Sequence, residues 1–241
     1  MFEEGKNSDC LQRFYDGQSG LVQAVEPKAF RLIAVTDAPT CPRSLVEQVE
    51  RIAECAYKPQ QLLLRAKELA PEDYAKLARE VLPLCQSYGI ELIIHTHWQI
   101  ALELGIQRVH LPLPKLSQLP VAARRSLVIS SSVHSVAEAQ RALAEGAQAL
   151  VAGHIYATHC KAGVPPRGLS FLHQVHEFPV KHTMPSQSQA KETAHAQDSI
   201  ICQNTLPVYA IGGIGFDPRQ WQELARNGAQ GACIMSAYMK I

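Results

Sequence analysis

The feature that most constrains this chain is an alternation. Short apolar runs rich in branched residues stand at residues 30–36, 61–65, 91–94, 108–111, 127–130, 149–152, 207–211 and 231–235. Between them, apolar residues recur at helical spacing, as in Leu45, Val46, Val49, Ile52, Ala53 and Ala56. Strands that alternate with helices specify parallel βαβ units, because a parallel strand can return only by a crossover. Eight such units predict an α/β protein of the (β/α)8 TIM-barrel class. The 241 residues suit one such barrel, which takes about 250. An open dinucleotide-binding sheet would carry Gly-x-Gly-x-x-Gly after an early strand, and none stands there.

Residues 1–28 show no sustained period and read as an N-terminal extension to a barrel spanning 29–241. Residues 180–204 are polar, rich in Ser, Gln, Ala and Lys, and read as an insertion before the seventh strand. Few residues follow the eighth strand, so a shortened eighth helix is expected. Pro71 opens a helix over 71–88, inside which Pro83 predicts a kink or break. Ser135 and Glu138 predict a capping box, with Gly146 at the far end of that helix.

The net charge of +1 gives no electrostatic basis for a nucleic-acid partner. No apolar run approaches the roughly 18 residues of a membrane span, so no membrane partner is expected. The start is polar, with Glu3 and Glu4, and does not read as a secretory leader. Seven cysteines without a Cys-x-x-Cys pair read as reduced thiols, which points to the cytoplasm.

Active groups of such a barrel sit at the C-terminal strand ends. Those ends carry Thr36, Asp37, Arg65, Lys67, His95, His97, residues 111–115 and 131–134, Gly153, His154, residues 212–215 and Ser236. The run Ile211-Gly-Gly-Ile-Gly215, paired with Met235-Ser-Ala237, can hold a phosphate on exposed N–H groups or simply make tight turns. His134 precedes the capped helix, whose positive end disfavours an imidazolium; it is a proton-transfer candidate or a hydrogen-bonded loop histidine. Arg65 and Lys67 suit an anionic group or form a solvated pair. His95 with His97, and His154 with His159 and Cys160, have ligand-like proximity. No carboxylate stands beside His95 and His97, and no metal or cofactor is expected from either set. Trp98, Leu111, Leu113 and Tyr156 line a pocket or pack ordinarily.

Five stretches occur in order: Ala34-Val-Thr-Asp37, Arg108-Val-His-Leu-Pro112, Ser132-Val-His-Ser135, Gly153-His-Ile-Tyr-Ala-Thr-His-Cys-Lys161 and Ala210-Ile-Gly-Gly-Ile214. Through them the chain from Arg31 to Ala237 resembles the thiamine phosphate synthase/TenI family. The resemblance implies a phosphorylated thiazole as the small-molecule partner. The synthase branch joins a pyrimidine diphosphate to a thiazole phosphate with Mg²⁺. It carries Asn-Asp-Arg after the third strand and a metal-binding aspartate after the fourth. Here those places read His95-Thr96-His97 and Leu113-Pro114-Lys115. The sequence is more similar to the thiazole tautomerase branch, TenI, an isomerase that aromatises a thiazole carboxylate phosphate without metal. That resemblance implies His134 as general acid/base and a phosphate grip by the amides of Gly212, Gly213, Ser236 and Ala237. It further implies Arg65 beside the substrate with Lys67 assisting, and no metal ligand. The alternatives are a thiamine phosphate synthase, a transferase, and a non-catalytic thiazole-phosphate binder or regulator. A homo-oligomer is compatible with each.

Overall fold

Parallel strands closed into a ring bury both faces, so their residues must be apolar in two directions at once. Strand β1 (Arg31–Val35) shows this: Leu32 and Ala34 pack outward under helices, while Ile33 and Val35 point into the lumen. The computed structural model describes residues 30–178 and 206–241. The expected extension over 1–28 and insertion over 180–204 lie outside the described residues.

The order of elements is β1, α1 (Leu45–Glu54), β2 (Gln61–Leu64), α2 (Pro71–Ser87), β3 (Glu91–His95), α3 (Trp98–Glu103) and β4 (Arg108–Pro112). Then come α4 (Leu113–Ser117), α5 (Val121–Ser126), β5 (Val128–Val133), α6 (Val136–Ala144), β6 (Ala149–Gly153), α7 (Gly168–His176), β7 (Val208–Ile211), α8 (Pro218–Arg226) and β8 (Gly231–Ile234). All strand pairs are parallel, and β8 closes on β1 through Arg31↔Gly231 to Ala34↔Ile234. The (β/α)8 barrel expected from the alternation is therefore the fold. After β8 the chain makes a turn over 236–239, and no helix follows it among the described residues. None of the described helices is long and apolar enough to cross a membrane.

The lumen is two-sided in chemistry. Ile33, Val35, Leu63, Ile93, Val151, Tyr209 and Cys233 form its apolar cluster. Strand β5, Val-Ile-Ser-Ser-Ser-Val, buries Ile129, Ser131 and Val133 outward and turns Val128, Ser130 and Ser132 toward the lumen. Next to it, β4 presents His110 at the level of Ser130. A cavity of about 130 Å³ remains there, bordered by Leu63, Arg108, His110, Ser130, Val151 and Tyr209.

Several local expectations need correction. Pro83 does not split α2, which runs unbroken from Pro71 to Ser87. Strand β5 extends to Val133, three residues beyond the apolar run, because its serines are satisfied within the barrel: Ser131 Oγ donates to Leu111 O at 2.7 Å. Residues 113–115, placed with the strand ends, open α4, which buries Leu113 and Leu116. The capping box at Ser135 is half-formed. Ser135 Oγ accepts from Glu138 N at 3.1 Å, but the Glu138 carboxylate reaches His134 instead of the Ser135 N–H. A complete capping box, not among those expected, stands at α1, where Ser44 and Glu47 exchange bonds.

Candidate functional site

The C-terminal ends of β1 to β3 are laced together before any ligand arrives. Thr36 Oγ1 donates to Arg65 O at 2.9 Å and accepts from Arg65 N at 2.7 Å. Tyr74 of α2 donates its hydroxyl to Leu64 O at 2.6 Å and accepts from His95 N at 3.1 Å. Those bonds fix the backbones that carry Arg65 and His95. The Arg65 guanidinium pairs with Asp37 Oδ1, and Asp37 Oδ2 accepts from Thr40 Oγ1 at 2.8 Å. Arg65 is thus a half-buried, oriented cation. Lys67 lies exposed two residues on and forms no ion pair among the described residues. Burial of its surroundings, then the Arg65 charge, pushes its ammonium below the ordinary lysine range; Asp37 opposes this and Lys161 adds to it.

The two expected metal positions hold other chemistry. His95 is buried, its ring stacked 5.9 Å from that of His110, and its Nδ1 lies 2.8 Å from Thr96 Oγ1. Burial first, then the neighbouring His110, Lys67, Arg65 and His97, lowers the His95 pKa to about 3. His97 packs on the Tyr74 ring at 4.4 Å, and burial with the nearby Lys115 lowers its pKa. Mg²⁺ takes oxygen ligands in a near-octahedral set. Asp37 is committed to Arg65 and Thr40. The triplets His95-Thr96-His97 and Leu113-Pro114-Lys115 offer no carboxylate. No group of three or more His, Cys, Asp or Glu side chains is placed to hold an ion among the described residues. These residues do not fit a magnesium-held diphosphate.

Across the mouth, β7 and β8 are neighbours, which brings their loops together. Gly212 (φ +100°) and Gly213 (φ +69°) adopt left-handed backbone. A Cβ on Gly212 would meet His154 Cβ at 2.2 Å, and one on Gly213 would meet Ala157 O at 2.5 Å. The β6 loop therefore presses on both, held by Ile155 N to Ile211 O at 2.9 Å and Tyr156 N to Gly212 O at 3.0 Å. The tight-turn reading of these glycines is what the backbone shows. Among the described residues, the N–H groups of Gly212, Gly213, Ser236 and Ala237 meet no acceptor. Unpartnered amides on adjacent loops are the kind of donor that can hold an anion.

His134 leaves β5 two residues past Ser132. Its backbone N–H donates to Glu138 Oε2 at 2.7 Å, and its Nδ1 lies 3.1 Å from the same oxygen. A carboxylate can only accept, so Nδ1 carries a proton, while Nε2 has no partner among the described residues. The positive end of α6 is thus one influence on His134, and Glu138 adds an orienting acceptor that the sequence did not reveal.

Other candidates are engaged in packing or in contacts of their own. Leu111 and Leu113 are core residues, Trp98 packs against the core, and the Tyr156 hydroxyl donates to Glu223 at 2.7 Å. His154 is buried, while His159 and Cys160 are exposed. The residues missed by sequence reasoning are His110 and Ser130; Ser132 stood among the strand ends but was given no role. Period-2 alternation along β4 and β5 was the signal for them, since it turns all three to the lumen.

Residues 32–238 match the family model described as thiamine monophosphate synthase, TMP-TENI. The thiamine-phosphate synthase of Saccharophagus degradans is 30% identical over 203 residues, spanning 81% of this chain and 79% of that one. That of Shouchella clausii is 28% identical over 216 residues, spanning 87% and 88%. Some relatives are longer: the chain spans 44% of the thiamine-phosphate synthase of Gloeobacter violaceus. Among solved structures, a thiamine phosphate pyrophosphorylase from Pyrococcus furiosus superposes with a TM-score of 0.64 at 23% identity, covering 89% of each chain. That likeness is one of fold.

Proposed function

The chain belongs to the thiamine monophosphate synthase (TMP-TENI) family, and from that premise we propose that it is a thiazole tautomerase of thiamine biosynthesis, acting on a thiazole carboxylate phosphate without metal. The reading is supported by the Asp37-held Arg65 on one side of the barrel mouth and the unpartnered amides of the β7 and β8 loops on another, with no carboxylate set for magnesium among the described residues. The amides of Gly212, Gly213, Ser236 and Ala237 take the phosphate. Arg65, held by Asp37, and Lys67 take the carboxylate. His134 Nε2 removes a proton from one ligand carbon and returns it to another. Bonds and charge then balance, with no redox step and no leaving group. A positioned histidine contributes roughly 10²–10⁴-fold to such a step.

The relatives' names favour a second reading, thiamine-phosphate synthase, a transferase. Its diphosphate would rely on Arg65, Lys67 and Lys115 for the charge that Mg²⁺ ordinarily neutralises. Two incubations of the purified chain separate the readings. One uses the unaromatised thiazole carboxylate phosphate with EDTA; the other uses the pyrimidine diphosphate with thiazole phosphate, with and without Mg²⁺. Aromatisation in the first supports the tautomerase, and thiamine phosphate in the second supports the synthase. Saturable binding without product in either supports a non-catalytic binder.

A further inference from the structure

The loop between β6 and α7 is closed at its root. Arg167 N donates to His154 O at 2.9 Å, and Gly168 N donates to Ile155 O at 3.1 Å. Its first residues lie on the glycine turn: Ile155 N reaches Ile211 O, Tyr156 N reaches Gly212 O, and Ala157 O packs on Gly213. Beyond them little holds it. Residues 159–167 are exposed. Apart from bonds inside the loop, such as Val164 N to Lys161 O at 3.1 Å, residues 158–166 make one hydrogen bond among the described residues. It joins the Val164 carbonyl to His154 Nε2 at 3.3 Å. A carbonyl oxygen can only accept, so Nε2 carries a ring proton and donates it. His154 is 4% exposed, and its Nδ1 is buried with no partner among the described residues. A buried unpaired nitrogen lowers stability. Leucine would fill the same space without that cost, so packing does not account for a histidine here.

The bond matters at the mouth because of what the loop carries. The Lys67 ammonium, depressed first by burial and next by Arg65, also feels the charge of Lys161. Residues 158–166 therefore reach the side of the mouth where Arg65 and Lys67 stand. We propose that His154 is a positioning residue of the ligand site: its ring N–H ties the β6–α7 loop back onto the barrel and so holds Lys161 toward the mouth. His154 acts through the loop and not on the ligand. An exposed loop with few buried contacts opens at low free-energy cost, so loss of its one outside bond frees it. With the bond made, the loop is ordered before an anion arrives, and binding does not have to supply that ordering. The tether is independent of the reaction. Its effect on anion affinity rests on the anion site of the proposed function.

Limited digestion with trypsin, followed by mass spectrometry, reads the loop directly, because Lys161 is a cleavage point within it. Cleavage after Lys161 is expected to quicken roughly fivefold in His154→Leu, which fills the space but cannot donate; that is the worth of one hydrogen bond. In His154→Gln, whose amide nitrogen reaches the place of Nε2, the rate is expected to stay near that of the unsubstituted chain. An unchanged rate in His154→Leu, or an equal rise in His154→Gln, overturns the proposal. Should His154→Leu fail to fold, nitrogen NMR of the unsubstituted chain decides, with the His154 signals assigned by their loss in His154→Gln. At pH 8, above the ordinary histidine value of about 6.5, a protonated Nε2 and an unprotonated Nδ1 are expected, and the reverse overturns the proposal. Inorganic phosphate is the probe of the mouth. Its affinity is expected to fall in His154→Leu by a similar factor and to be restored in His154→Gln. A merely structural role would lower the urea stability of His154→Leu and leave phosphate affinity unchanged, and that result overturns the positioning role. Failure of the unsubstituted chain to bind phosphate would refute the anion site of the proposed function, while the cleavage contrast still decides the tether.

Discussion

Glu138 holds His134 at two points: one carboxylate oxygen accepts the His134 backbone N–H at 2.7 Å and stands 3.1 Å from its Nδ1. The same residue receives the Ser135 cap through its own N–H. One glutamate in the first turn of α6 thus completes the N-terminal cap and orients the histidine beside it. The Nδ1 proton is fixed, and Nε2 is left to act.

This geometry predicts unequal losses. His134→Ala is expected to lower turnover of the thiazole carboxylate phosphate by roughly 10²–10⁴-fold. Glu138→Gln, which keeps an acceptor oxygen but loses the charge, is expected to cost less than His134→Ala. Steady-state kinetics on the two proteins check the order. Equal losses would show that Glu138 does more than orient the ring.

The glycine turn predicts a contrast between neighbours. Gly212→Ala forces a side chain into the left-handed region and against His154 Cβ. Backbone strain of that kind costs on the order of 1–3 kcal/mol, and phosphate binding is expected to fall with it. A Cβ on Gly215 would meet nothing within 4 Å, and its φ is not positive. Gly215→Ala is therefore expected to change stability by less than about 0.5 kcal/mol. Urea unfolding of both variants, with phosphate titrations, tests the pair.

Buried histidines give the fold an acid limit. His95 and His110 titrate at about 3 and about 4 in the folded chain, against about 6.5 when unfolded. The unfolded chain therefore binds more protons between those values. Their contribution is fully present above pH 6.5 and is lost as pH falls toward 4, by up to about 1.4 kcal/mol per pH unit for each ring. Unfolding free energies measured from pH 7 to pH 4 are expected to fall, and to fall less steeply in His110→Gln.

Much of the fold and part of the site were legible in the chain. Short runs such as Leu62-Leu-Leu64 and Leu92-Ile-Ile94 must be buried on both faces, and their alternation with helical segments specifies a parallel barrel. Gly212 and Gly213 marked a turn, and Ser135 marked a helix start. The partner of Glu138 was not legible, because a capping-box pattern does not say whether the carboxylate bonds the cap residue or the one before it. Three serines break the apolar run of β5, so hydropathy alone ends that strand too early. Their polar atoms are satisfied across strands by Leu111 O and His110, which spacing along one strand does not reveal. Pro83 leaves α2 unbroken, so the propensity penalty is overridden by packing of Ala78, Val81 and Cys85 in the core.

The α1 cap provides an independent check on local energetics. Ser44 and Glu47 satisfy two otherwise open N–H groups at the start of the helix. Ser44→Ala is expected to cost about 1 kcal/mol without altering phosphate affinity, since α1 carries no group of the mouth.

A metal-independent proton transfer between two anion sites is tested most directly by following the thiazole carboxylate phosphate by proton NMR with the purified chain in EDTA. Aromatisation at an undiminished rate, abolished in His134→Ala, is the predicted result. No aromatisation in EDTA, together with Mg²⁺-dependent formation of thiamine phosphate from the pyrimidine diphosphate and thiazole phosphate, would contradict it.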